Sequence, residues 1–339
     1  MGIDRLRLAD RAYRRWTRTL GPDHPDLLGA ANILAVCLWS LGNPAAARAL
    51  QEDTLARRRR VLGDDHPDTL RSASNLAAVL WSLGDLTAAR ALDEDTLARR
   101  RRVLGDDHPD TLMSANNFAA DLWSLGDLTA ARALHEDTLA RRRRVLSDDH
   151  PDTLMSAHNL ADDLRALGDM TAARALNEDT LARRRRLLGE DHPDTLHSAN
   201  NLATVLGALG DLTAARALHE DTLACRRRVL GDDHPDTLRT AHNLADDLRA
   251  LGDLTAARAL NEDTLARFRR LLGEDHPDTL HSANNLATVL GALGDLTAAR
   301  ALLEDTLARR HGLLGGNHPD TRETAKQLAM LAPDNLDFR

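Results

Sequence analysis

Two short clusters contain the residue types that could bind a metal ion or transfer protons. His158 is followed four residues later by Asp162, and His242 is followed in the same way by Asp246. This spacing places each pair on one face of a helix. Each pair supplies only two ligands, whereas a zinc site ordinarily takes three or four from the protein. We therefore expect no metal site and no bound cofactor.

The sequence contains no recognisable motif for nucleotide binding or covalent catalysis. The single lysine, Lys326, stands in Thr-Ala-Lys-Gln, whereas a P-loop needs a glycine-rich stretch followed at once by Lys and Ser or Thr. Cys37 and Cys225 lack the CxxC spacing of a zinc or redox site. No nucleophile and base stand out together, so we predict that the chain is not an enzyme.

Arginine occurs in runs of four, at residues 57–60, 99–102, 141–144 and 183–186. Such runs could gather phosphates along one edge of the protein, but an acidic pair follows each of them. The chain has 44 basic and 52 acidic residues, a net charge of −8, which is the wrong sign for an obligate nucleic-acid binder. We expect solvated helix ends and no nucleic-acid partner, with binding through the arginine edge as a minor hypothesis.

The sequence contains no targeting or membrane segment that we recognise. It begins Met-Gly-Ile-Asp-Arg-Leu, without the apolar region of a signal peptide, and has no apolar run of 18 residues. We expect a cytoplasmic protein with no membrane partner.

Composition predicts an all-α chain. Hydrophobic residues make up 42% of the sequence, but aromatic residues only 2%. The apolar residues are mostly Leu and Ala, which favour helices, whereas the β-branched and aromatic residues that favour strands are scarce. A large sheet is therefore nearly excluded.

An internal repeat determines the architecture. The tripeptide His-Pro-Asp recurs every 42 residues, beginning at His24, His66, His108, His150, His192, His234, His276 and His318. A Leu-Gly pair keeps the same period, and its glycine is residue 84 in the second repeat. These two turn signals in each period indicate two secondary-structure elements in each period.

Both elements of a repeat are predicted to be helices. Pro67 can begin the first, which we call helix A, and its apolar stripe from Leu70 to Leu83 ends at Gly84. Asp85 can cap the second, helix B, which ends before Gly105 and whose buried side is expected to include Val103. Neither helix can bury its stripe alone, so the repeats must stack as an α-solenoid.

The repeat frame covers residues 1–339 as a single solenoid of about sixteen helices. Residues 1–21 correspond to a half-repeat consisting of helix B, and residues 22–315 to seven 42-residue repeats. Residues 316–339 correspond to a C-terminal capping helix, whose polar residues can cover the end of the stack.

The pattern Leu76-Ala77-x-x-Leu80-x-x-x-Gly84-x-x-x-x-Ala89 resembles the tetratricopeptide repeat. The 42-residue period, with Asn-Leu-Ala and Leu-Gly-x-Asp-His-Pro-Asp, is similar to the kinesin-light-chain-like subclass. The resemblance implies a right-handed superhelix whose A helices line a concave groove. It also implies that one asparagine per repeat bonds the backbone of an extended peptide.

The groove implied by this resemblance has three sets of candidate peptide-binding residues. An amide can both donate to and accept from a main chain, and the asparagine column consists of Asn75, Asn117, Asn159, Asn201, Asn243 and Asn285. Aromatic anchors would come from Trp39, Trp81 and Trp123. The charged part would consist of His158, Asp162, Arg165, His242, Asp246 and Arg249. The alternative for both the asparagines and the tryptophans is a structural role between neighbouring helices.

We therefore expect a non-enzymatic scaffold that binds a protein or peptide ligand in the groove. The main alternative is a homo-oligomer or other self-assembly module, or the sensor portion of a larger nucleotide-hydrolysing regulator with a separate effector domain.

Overall fold

A computed structural model describes residues 2–331 of the chain. In this range the chain forms sixteen α-helices and no strand, which confirms the predicted all-α fold. The helices are α1 (Gly2–Thr19), α2 (Pro25–Ser40), α3 (Pro44–Leu62), α4 (Pro67–Ser82), α5 (Leu86–Leu104), α6 (Pro109–Ser124), α7 (Leu128–Leu146), α8 (Pro151–Ala166), α9 (Met170–Leu188), α10 (Pro193–Ala208), α11 (Leu212–Leu230), α12 (Pro235–Ala250), α13 (Leu254–Leu272), α14 (Pro277–Ala292), α15 (Leu296–Leu314) and α16 (Pro319–Met330).

The His-Pro-Asp tripeptide is the start signal of every A helix, the even-numbered helices. In α4, His66 is the N-cap residue in an extended conformation, and its Nδ1 accepts a hydrogen bond of 3.1 Å from the backbone N–H of Asp68. Pro67 occupies the first turn, where its missing N–H costs nothing. The carboxylate of Asp68 adds negative charge at the positive end of the helix dipole.

The helices pack as stacked pairs. Leu76 and Leu80 of α4 pack with Leu55 of the preceding B helix and Ala89 of the following one, so α4 is covered from both sides. Val103 is 46% exposed, which contradicts its expected burial. It lies in the last turn of α5, which has 19 residues against 16 for α4.

The second arginine of each run is buried, and for this residue the expectation of a solvated helix end is wrong. Arg142 in α7 is 2% exposed, and its Nη1 donates at 2.8 Å both to the carbonyl oxygen of Asp152 and to Oγ of Ser156 in α8. The guanidinium therefore ties helix B of one repeat to helix A of the next. Equivalent contacts are made by Arg58, Arg100, Arg184, Arg226 and Arg310.

Other arginines of a run do lie on the surface, where they pair with acidic residues. Arg102 Nη2 lies 2.6 Å from a carboxylate oxygen of Asp65 in the preceding connection, and Arg99 Nε lies 2.7 Å from Asp95. These arginines hold the pKa of Asp65 below its usual range. The acidic pairs thus balance the arginine edge, as the sequence predicts.

One repeat lacks the buried arginine and its contacts. In α13 the position is occupied by Phe268, which is 8% exposed and has no hydrogen-bond donor on its side chain. Oγ of Ser282, which would receive the bond, is buried without a hydrogen-bond partner.

The chain divides after Asp169 into two compact units. The first contains α1 to α8 and the second begins with α9. Within each unit, successive helices pack against one another in chain order.

We predict that Arg142→Met lowers the free energy of unfolding by about 2 kcal/mol, because the apolar stem is kept but a buried charged donor is lost. The matched control is Arg143→Met, whose arginine is exposed and pairs with Asp148 at 3.1 Å. That change should cost less than about 1 kcal/mol. Urea unfolding of both variants measures the difference, and equal losses would contradict a special role for the buried guanidinium.

Ser147 follows α7 with φ 84° and ψ 164°, a conformation that other repeats give to glycine at this position. A side chain in this region costs about 1–3 kcal/mol. Ser147→Gly should therefore stabilise the protein by about 1 kcal/mol, and the reverse change Gly105→Ser should destabilise it by a similar amount. Thermal unfolding measures both, and a neutral pair of variants would show that the backbone relaxes there.

Candidate functional site

The three tryptophans of the A helices lie on the surface. Trp39, Trp81 and Trp123 are 39%, 48% and 42% exposed. Nε1 of Trp39 donates to Oγ of Ser82 at 3.0 Å, and Nε1 of Trp81 donates to Oγ of Ser124 at the same distance. Each of these indoles is thus held by the next repeat.

Trp123 lacks this restraint. Ala166 occupies the position of the serine in the following A helix. Among residues 2–331 no group accepts a hydrogen bond from the Trp123 indole.

The asparagine column forms contacts between repeats. Nδ2 of Asn75 donates to Oδ1 of Asn32 at 2.9 Å, and Nδ2 of Asn159 donates to Oδ1 of Asn116 at the same distance. In the second unit, Asn243 donates to Asn200 at 3.4 Å. These amides keep a free carbonyl oxygen on the half-buried face, since only their nitrogen is used. Asn201 of the same column is half-buried in α10.

Asn117 is an open position in the column. Asn75 and Asn159 bond to an asparagine 43 residues earlier, but the residue 43 positions before Asn117 is Ser74. Oγ of Ser74 is buried without a partner, and the side chain of Asn117 makes no hydrogen bond within the described range. Asn117 therefore offers its whole amide, and it lies on the same helix as Trp123.

The charged candidates form separate local groups on α8 and α12. Asp162 lies between His158 at 3.6 Å and Arg165 at 3.8 Å. In α12 the same pattern joins Asp246 to His242 at 3.6 Å and to Arg249 at 3.8 Å.

His242 is more enclosed than its position on a groove face suggests. Nδ2 of Asn285 lies 2.8 Å from its Nε2, and the ring of His281 lies 4.9 Å away between centroids. Burial lowers the pKa of His242, so its neutral form is favoured. Across the described residues, no group of three potential metal ligands is present.

A cavity of about 180 Å³ opens between two of the tryptophans. Its lining consists of Trp81, Ala120, Trp123, Ser124, His135, Asn159, Asp162 and Asp163. Three of the candidate classes thus meet at one place in the first unit: aromatic side chains, an asparagine and a carboxylate. His135 and Asp163 were not among the sequence candidates.

His135 and Asp163 belong to a buried polar layer between helix B and the next helix A. Nδ1 of His135 lies 2.5 Å from Oδ2 of Asp163, and both side chains are at most 3% exposed. His219 and Asp247 repeat the pair in the second unit at 2.6 Å. The sequence does carry a signal for this pair. The second position, 28 residues after the first polar residue, is aspartate here but valine in other repeats.

One repeat earlier, the positions that correspond to His135 and Asp163 are both occupied by aspartate. Asp93 and Asp121 are each 3% exposed. Burial and the neighbouring Asp121 carboxylate raise the pKa of Asp93 to about 8, and burial raises the pKa of Asp121 to about 6. At neutral pH the pair therefore holds a proton that the unfolded chain would release.

The sign of the resulting pH dependence follows from these raised values. The unfolded carboxyls titrate near about pH 4, so between about pH 4 and pH 8 the folded state binds more protons. The contribution of this pair to stability is therefore largest below that window and decreases as the pH rises through it.

We predict that the double variant Asp93→Asn with Asp121→Val, which installs the residues found at positions 177 and 205, removes most of this slope. Urea unfolding between pH 5 and about pH 9 measures it. Asp95→Asn, at an exposed carboxylate of the same helix, is the control and should leave the slope unchanged. A wild-type stability that rises over this range would contradict the assignment.

No helix in the described range is long and apolar enough to cross a membrane. No curated protein is similar enough to count as a relative of this sequence.

Solved structures resemble the chain along much of its length. A kinesin-light-chain-like repeat protein of Podospora anserina has 31% identity and a TM-score of 0.54, with 61% of this chain and 98% of that one covered. The apo quorum sensor NprR of B. thuringiensis has 13% identity, a TM-score of 0.57 and coverage of 97% and 96%. A Rap protein complexed with competence and sporulation factor has 12% identity, a TM-score of 0.53 and coverage of 96% and 80%.

The tetratricopeptide repeat model matches in overlapping segments, at residues 6–60, 26–101, 72–144, 113–184, 152–228, 194–270, 241–311 and 282–332. Together with the stacked helix pairs, this match shows that the chain belongs to the tetratricopeptide repeat family, with kinesin-light-chain-like neighbours among its solved relatives.

Proposed function

We propose that the chain is a non-enzymatic scaffold that binds a polypeptide segment along the face of its A helices. Tetratricopeptide repeat proteins are generally protein–protein interaction scaffolds. The observation that carries the proposal is the presence of three half-exposed tryptophans in consecutive repeats beside a column of amides. Large exposed aromatic side chains are typical anchors of protein interfaces.

The amides divide into two kinds. Asn75 and Asn159 each use one N–H of Nδ2 to join repeats, so part of their amide is already committed. Asn117 has neither N–H committed and can offer its whole amide to a main chain. We therefore place the main backbone contact at Asn117, with Trp81 and Trp123 on either side of it in sequence.

The structural likeness to a Rap protein that was solved in complex with competence and sporulation factor agrees with a ligand-binding role for this fold. The charged groups on α8 and α12 would add selectivity, because each presents an aspartate flanked by a histidine and an arginine.

The test compares two asparagines that differ in their contacts. Random peptides displayed on phage are selected on the wild-type protein, and the affinity of the best one is then measured for Asn117→Ala and Asn159→Ala. Asn117→Ala should weaken binding about three- to tenfold through loss of one or two hydrogen bonds, with an unchanged melting temperature. Asn159→Ala should lower the melting temperature, since it breaks the bond to Asn116.

Unchanged affinity in Asn117→Ala would contradict this placement of the backbone contact. If no peptide is selected and the mass in solution rises with concentration, the self-assembly alternative gains the support that peptide binding loses.

A further inference from the structure

The cavity between Trp81 and Trp123 is large enough for one side chain. Its volume of about 180 Å³ exceeds that of the ~150 Å³ engineered cavity that binds benzene. Both indoles are more than 40% exposed, so a ligand can reach the cavity from solvent.

The polar groups that line the cavity are mostly hydrogen-bond acceptors. Asp162 and Asp163 contribute carboxylates. Asn159 contributes its carbonyl oxygen and one amide N–H, because its other N–H is bound to Asn116. Oγ of Ser124 already accepts from Trp81 and donates to the carbonyl oxygen of Ala120. The donors are the indole N–H of Trp123 and the remaining N–H of Asn159.

His135 adds a buried polar atom. In the tautomer whose Nδ1–H donates to Asp163, Nε2 is an acceptor. His135 is 2% exposed, and its Nε2 has no hydrogen-bond partner in the described range. A buried polar atom without a partner is costly, so a donor brought by a ligand would be favoured here.

Neighbouring cations reduce the negative charge of this wall without removing it. His158 and Arg165 lie 3.6 Å and 3.8 Å from Asp162, on its own helix. Asp163 is paired with His135 rather than with either of these cations. The cavity therefore combines aromatic walls with carboxylates, the combination that attracts organic cations.

We propose that this cavity binds a cationic side chain, the ammonium of lysine or the guanidinium of arginine, from the polypeptide segment. The identification of the source as a polypeptide rests on the proposed function. The choice of a cation rests on the cavity itself: an ammonium or guanidinium supplies only donors, its alkyl chain packs between the indoles, and its charge is balanced by the carboxylates.

The second unit shows which part of the arrangement is special to the first. His219 and Asp247 form the same buried pair there, but Gly207 replaces the tryptophan. A Cβ atom at Gly207 would lie 3.2 Å from Oδ1 of Asp247. The position that holds Trp123 in the first unit is therefore directly beside the buried carboxylate in the second. Trp123 therefore gives the first unit an aromatic wall that the second unit lacks at this position.

The test uses small cations in place of a peptide. The chain has four tryptophans, so ¹H–¹⁵N spectra resolve one indole signal for each, assigned by single Trp→Phe variants. The protein is titrated with n-butylammonium, n-propylguanidinium and neutral 1-butanol at constant ionic strength. The indole signals of Trp81 and Trp123 should shift to saturation with a cation, whereas those of Trp16 and Trp39 should not. The stronger of the two cations identifies lysine or arginine.

Two variants complete the test. Asp162→Asn, at a half-exposed carboxylate, should weaken cation binding at least threefold, and Trp123→Gly, which copies position 207, should abolish it with the melting temperature as a check on folding. Saturation by 1-butanol at the same midpoint, absence of cation-dependent shifts, or an unaffected Asp162→Asn would each overturn the proposal.

The outcome is independent of the peptide experiment. If the protein binds the cations but Asn117→Ala leaves the peptide affinity unchanged, the cation site is supported and the backbone contact at Asn117 is rejected. Peptide binding without cation binding would reject only the present inference.

Discussion

The structure depends on the burial of polar groups between successive repeats. A helix pair of this length cannot cover its own apolar stripe, so the next repeat supplies the missing surface. Apolar contacts alone leave the relative position of two repeats loosely determined, because Leu and Ala recur throughout. The buried guanidinium of Arg142, directed at one hydroxyl and one carbonyl oxygen, determines it closely.

The candidate site consists of places where this repeated frame is broken. At most positions a polar group has its partner one repeat away, as Trp81 has Ser124. Where the partner has been replaced, as Ser74 replaces asparagine opposite Asn117 and Ala166 replaces serine after Trp123, the remaining group can bind something else. In the proposed site, the capacity to bind would therefore arise from a change in the partner as much as from the exposed residue itself.

The helices and the repeat frame could be predicted because their signals are local. His66, Pro67 and Gly84 begin and end a helix by their own conformational preferences. The burial of Arg142 could not be predicted in the same way, because four successive arginines differ only in their direction around the helix and in what the next repeat places there. The exposure of the tryptophans has a sequence signal, because other repeats have Arg or Gly at the same position. The contact between His135 and Asp163 joins residues 28 positions apart and requires the packed pair of helices.

The buried polar layers also bear on how nearly identical repeats avoid pairing in the wrong order. Residues 157–218 and 241–302 differ at only two positions, so their apolar surfaces cannot distinguish neighbours. The layers differ from one repeat to the next: His219 meets Asp247, whereas Asn261 stands at the same position before Val289. A displacement by one repeat would place His219 opposite a valine and leave the carboxylate of Asp247 buried without its partner, which is costly. A displacement by two repeats would restore a His–Asp pair, so these layers discriminate against adjacent mispairing and the remaining order must come from the connectivity of the chain.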